Sequence, residues 1–216
     1  MNENFCISVN DRSEAMELNE YIDIVRTEIT PSDDEDLIRE MFIWYIDRTR
    51  SHIASVREFG RKAVKLLKDE DWCCLLRANL IRHDHDKTDD SVFIAHYAPY
   101  IVKRYCDNGL QDRFELTDGY EKMWNEQYCI QHCKNNGHHV EGWDEKYDYN
   151  KENNPPYSAE SMPIEYLAEM CCDWCAVGRE QGNTAKEWFE KVNGKRFIFT
   201  SQQQKFIGNL LRAIEG

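Results

Sequence analysis

Residues 80–90 read LIRHDHDKTDD, with two histidines and two aspartates in four consecutive positions after an apolar run. The preceding stretch, DWCCLLRANLIRH (Asp71–His83), has the apolar spacing of a short buried helix. The His–Asp cluster therefore falls at a helix C-terminus. Carboxylates are badly placed there, because that end of the helix dipole is negative. A cation held at the same point removes the conflict. Imidazole and carboxylate are also donors that divalent transition metals take. A metal site thus competes with the plainer reading of a solvated, charged turn.

Outward from this stretch, helical periodicity dominates. Ser13–Ile29 reads as a helix, and Ser32 and Glu35 stand at capping-box spacing before a long apolar pattern. That pattern continues with His52, Val56, Phe59, Ala63 and Leu66 on one face. Residues 91–106 form a further helix and 107–118 a loop. Residues 119–137 form another helix, with Trp124, Tyr128 and His132 on one face and Gly137 as a left-handed stop. Residues 144–161 are polar, carry Pro155 and Pro156, and read as a mobile loop. Pro163 opens a helix striped by Leu167, Met170, Trp174 and Val177, and two shorter helices span about 184–192 and 201–214. The expectation is an all-α, compact single-domain helical bundle: an N-terminal helical extension over 1–31 and one globular unit over 32–216.

The chain has 216 residues and a net charge of −13. Duplex nucleic acid is bound mainly through Lys and Arg, so this balance argues against it as a partner. No apolar run is long enough for a bilayer, and MNENFCISVNDRSEAME lacks the pattern of a signal peptide. A cytoplasmic protein without membrane partners is expected. The nine cysteines are then read as reduced thiols, several of them small core residues. Cys129 with Cys133 and Cys172 with Cys175 each lie about a turn apart, so a four-thiolate structural zinc site is a rival to the histidine site.

Metal donors must converge from rigid elements that are distant in sequence. His52 lies on the apolar face of one helix, and His83 and Asp84 end the next. His132, His138 and His139 cluster around another helix end, and Asp173 precedes the buried Trp174. Taken alone, His52 suits a satisfied core histidine, and the downstream pair changes that reading. Adjacent side chains diverge, so at most one of His138 and His139 is expected to point inward. Glu141 can orient an imidazole as an outer partner.

The order H…HD…HH…D resembles that of the HD-domain superfamily of metal-dependent phosphohydrolases. HDHDK also fits its extended HD-x-x-K form with His83, Asp84 and Lys87. Taking His85 and Asp86 as the pair would leave Lys87 adjacent and out of place. HCKNNGHHVEGW (132–143) and PIEYLAEMCCDWCAVGREQGNTAKEWF (163–189) are similar to an uncharacterised HD-like family of phages and bacteria. The resemblance covers roughly residues 45–195. It implies that His52, His83, Asp84 and Asp173 hold a first metal. Asp84 would bridge to any second metal, completed by His138, His139 or His132. Lys87 would meet a substrate phosphate oxygen. HHVEGWD lacks the GYP continuation of the cyclic-dinucleotide phosphodiesterases, which departs from that subgroup.

The implied function is hydrolysis of a small nucleotide (a nucleoside monophosphate, a deoxynucleoside triphosphate or a cyclic nucleotide), with Asp84 and Lys87 catalytic. The cofactor is one or two ions of Mn, Fe, Co, Ni or Zn. The expected setting is the cytosol of a bacterium or phage-infected host. Two alternatives accompany it: an HD-type di-iron oxygenase, and a non-catalytic phage-type module that binds a nucleotide or protein.

Overall fold

The computed structural model describes residues 18–89, 91–145, 147 and 156–216. Its architecture is all-α. Among the described residues, strands are limited to two-residue pieces. The chain divides into two compact units, one drawn from Met1–Ile46 and His85–Glu121, the other from Asp47–Asp84 and Lys122–Gly216.

In the first unit, α1 (Leu18–Val25) packs against α5 (Ser91–Tyr105), and the short α4 (Asp86–Asp89) also contacts α5. Strand β1 (Ile29–Thr30) pairs antiparallel with β2 (Glu115–Leu116), Ile29 facing Leu116. The core includes Tyr21, Ile22, Val25, Ile38, Met41, Phe93, Ala98 and Val102. Helix α2 (Glu35–Leu66) begins here and supplies residues to both units. Its start is capped by Asp34, whose Oδ1 accepts from the Leu37 amide at 2.9 Å. The capping-box spacing of Ser32 and Glu35 is not the cap used. Asp34 sits three residues before the amide it satisfies, the ordinary cap geometry.

The second unit carries the remaining helices and its own core. Helix α3 (Cys73–Arg82) packs against α8 (Ile164–Gln181), which also meets α9 (Ala185–Val192) and α10 (Ser201–Glu215). Val56 and Phe59 of α2, Leu76 and Leu80 of α3, Leu167 and Met170 of α8, and Ile207 and Leu211 of α10 share one cluster. Gly60 lets α2 approach α3 closely, since a Cβ there would lie 2.6 Å from Leu80 Cδ1. Both α9 and α10 start with complete capping boxes, Thr184 with Glu187 and Thr200 with Gln203.

The helix read over 119–137 has a more complex course. It runs as α6 (Tyr120–Met123), a π-helical turn (Trp124–Cys129) and α7 (Ile130–Asn135). Gly137 does not stop it in a left-handed conformation; the positive-φ glycines among the described residues are Gly109, Gly182 and Gly194. Gly137 instead answers a steric demand, because a Cβ there would lie 2.4 Å from the Tyr166 ring. In the polar tract 144–161, Lys146 and residues 148–155 lie outside the described residues. The ends of the tract are held: Asp144 Oδ2 accepts from the Ser158 amide at 2.7 Å, and β3 (Tyr157–Ser158) pairs parallel with β4 (Phe197–Ile198).

Candidate metal centre

His83 and Asp84 mark the end of α3. His83 leaves the helix at φ −51°, ψ 126°, and Asp84 follows with φ +53°, the sole positive φ among described non-glycine residues. Aspartate tolerates this region better than most side chains, yet the conformation is uncommon and clusters at functional sites. The turn directs both side chains inward, leaving His83 and Asp84 only 2% and 1% exposed. His85 and Asp86 belong to the first unit, where His85 Nε2 makes an exposed i,i+4 pair with Asp89 at 3.0 Å.

The second unit brings five of the chain's seven histidines together. His52 comes from α2, His83 from the end of α3, His132 from α7, and His138 and His139 from the turn beyond it. One donor group comprises His52, His83 and Asp84. His52 Nε2 and His83 Nε2 lie 3.8 and 3.7 Å from Asp84 Oδ2. Asp173 borders this group, its Oδ1 3.0 Å from His52 Nε2 and 3.6 Å from His83 Nε2. A second group comprises Asp84, His132, His138 and His139. His132 Nε2 and His138 Nε2 lie 3.5 and 3.6 Å from the other Asp84 oxygen, Oδ1, and His139 Nε2 is 2.9 Å from His132 Nε2. The two oxygens of one carboxylate thus face two sets of imidazoles.

His138 and His139 both enter this group, against the expectation that at most one would. They follow the end of α7 in irregular backbone, and their rings lean on each other at 4.3 Å. Alternation holds along a regular strand, not through such a turn. His132 joins them as a full member, its Nδ1 3.0 Å from Asn136 Nδ2.

Glu169 is the residue that sequence reading missed. It is 3% exposed inside the apolar stripe of α8, one turn before Asp173. Its Oε1 lies 2.9 Å from His83 Nδ1 and 3.3 Å from His138 Nδ1. A carboxylate at Nδ1 keeps the proton there and turns the Nε2 lone pair toward the centre. A glutamate four residues before the ligand-like Asp173 was the available signal, since such residues share a helix face.

The electrostatics follow from this crowding. Burial alone disfavours charge on His83, but the nearby Asp84 and Asp173 carboxylates and the Glu169 hydrogen bond outweigh it and lift its pKa to about 10. Burial likewise opposes ionisation of Glu169, yet His138 and His83 bring it down to about 2. Asp173 falls well below the usual carboxylate range despite its burial, through the His52 and His83 imidazoles beside it. The proton on His83 offsets part of this acid charge. A divalent cation would replace it, so binding would release a proton.

The donors fit such a cation. Ligands about 2.1 Å from a tetrahedral or octahedral metal stand roughly 3.0–3.5 Å apart, near the separations above. His83 Nε2 is also buried with no hydrogen-bond partner, which a bound metal would satisfy. The four-cysteine alternative does not assemble: no metal-capable grouping among the described residues includes Cys172 or Cys175.

The remaining predicted residues, Lys87 and Glu141, have contacts of their own. Lys87 is in α4 of the first unit, its Nζ 5.7 Å from the Tyr97 ring centroid and its carbonyl accepting from the Tyr45 hydroxyl at 3.0 Å. Glu141 pairs through Oε1 with Arg196 Nη2 at 2.8 Å. It also forms a donor group with Cys133 and His139.

Fold and centre together define a class: an all-α protein with buried histidine–carboxylate groups able to hold metal. The chain belongs to the Family of unknown function (DUF5662), whose model matches residues 41–213. Comparisons with curated proteins and with solved structures gave no match. No helix among the described residues is long and apolar enough to cross a membrane.

Proposed function

We propose that this protein is a metal-dependent phosphohydrolase acting on a small phosphorylated substrate, a nucleotide in the first instance. The observation that carries the reading is the sharing of Asp84 between two donor groups made wholly of nitrogen and oxygen. Such donors suit Mn, Fe, Co, Ni or Zn. A divalent metal there would supply acidified water and charge stabilisation at a phosphoryl group. His52, His83, Asp84 and Asp173 would hold one ion, and Asp84 with His132, His138 and His139 a second. Glu169 sets the imidazole tautomers. The resemblance of H…HD…HH…D to the HD-domain phosphohydrolases supports the same reading.

The test begins with metal content of untagged protein purified without chelator, beside Asp84→Ala. Protein loaded with Mn²⁺, Co²⁺ or Fe²⁺ is then offered a panel of phosphomonoesters, nucleoside triphosphates and cyclic nucleotides. Phosphate release by wild type and not by Asp84→Ala is the expected result. A metal-loaded protein that releases nothing overturns hydrolysis, and substrate-dependent oxygen uptake by the iron form would identify an oxygenase instead.

A further inference from the structure

A second kind of donor set stands beside the centre. Cys133, His139 and Glu141 bring a sulfur, a ring nitrogen and a carboxylate oxygen within 4.8 Å of one another. Cys133 and Glu141 are buried. Cys129 lies one helical turn before Cys133, outside that grouping. The Cys129 Sγ is 3.9 Å from the Tyr147 hydroxyl.

The backbone builds this arrangement from both sides. The π-helical turn ends at Cys129, and α7 then carries Cys133. The chain returns through the 3₁₀ turn Val140–Trp143, which packs on α7. Gly142 makes the close approach: a Cβ there would lie 2.3 Å from the Cys133 carbonyl oxygen. Only glycine lets the turn press this tightly, and the pressing brings Glu141 to the thiols.

We propose that Cys133, His139 and Glu141 form a zinc site that Cys129, one turn away, completes on binding, distinct in chemistry from the nitrogen-and-oxygen centre. Two thiolates, one imidazole and one carboxylate make a four-donor set of the kind tetrahedral Zn²⁺ takes, and the sulfurs select against harder ions. Zinc with two thiolates and a carboxylate leaves one net negative charge. Arg196 offsets it, its Nη2 2.8 Å from Glu141 Oε1. His139 belongs to both groups, so filling the sulfur site draws on a ligand of the catalytic reading. The zinc site itself does not depend on hydrolysis.

The test uses the full chain, stripped of metal and titrated with Co²⁺ as a spectroscopic substitute for zinc. Thiolate-to-cobalt charge-transfer absorption should appear in the near ultraviolet and be displaced by Zn²⁺. It should vanish in Cys133→Ala and in Cys129→Ala, the latter altering only a half-buried side chain. It should persist in Asp84→Ala, which disables the neighbouring centre, and in Cys172→Ala. Cobalt binding without that absorption, or absorption that survives Cys129→Ala, overturns the site. Absorption lost in Cys172→Ala moves it to α8 and overturns the site equally.

Discussion

His96 and His83 each set Nδ1 against a buried glutamate, 3.1 Å to Glu28 in one unit and 2.9 Å to Glu169 in the other. The distances match, and at His83 the contact is a hydrogen bond. The two histidines differ in how many further donors converge on them. No metal-capable grouping among the described residues includes His96, whose own carbonyl accepts from the Tyr120 hydroxyl at 2.5 Å. His83 turns Nε2 toward Asp84 and Asp173, with His52 and His138 beside it. Burial and a carboxylate partner are therefore common to a structural histidine and a ligand. A ligand is marked by the further donors that converge with it.

The largest expected effect tests the shared carboxylate. Asp84→Ala removes a donor from both groups at once, so metal should be lost from both while circular dichroism reports unchanged helicity. Full metal occupancy in this variant would break the assignment. Glu169→Gln is subtler. It leaves the Nε2 ligands in place but removes the negative charge that holds the Nδ1 protons. Metal affinity should fall by about 10–100-fold, read by competition with a chromophoric chelator. An unchanged affinity would place Glu169 with Glu28, as packing alone. The smallest effect on metal belongs to His96→Ala. It should cost about 0.5–1.5 kcal/mol in denaturant unfolding, since one contact to the buried Glu28 is lost while the Thr27 hydroxyl still donates to it, with metal content untouched. A loss of metal would erase the distinction between the two histidines.

Much of this was legible in the sequence. The helices came from apolar spacing, and His52 and the His83–Asp84 pair were singled out by their order and by the HD-x-x-K spacing. Glu169 was hidden because it lies in a stripe of buried residues, where a lone acid reads as an irregularity. The joint entry of His138 and His139 depends on irregular backbone that no periodicity describes. Asp34 displaced Ser32 as the cap because several residues in that stretch can cap and only geometry selects among them. The division into two units leaves no compositional trace, since its first boundary, between Ile46 and Asp47, falls inside α2.

The π-helical turn at Trp124–Cys129 bears on how chain length can vary. Such a turn holds one residue more than an α-helical turn. Deleting a residue there would restore an uninterrupted helix while His132 and Cys133 keep their facing. Deleting one from α3 would instead swing His83 and Asp84 by about 100°, away from α8. Members of the family should therefore accept a gap within 124–129 and hold a fixed length from Cys73 to Asp84.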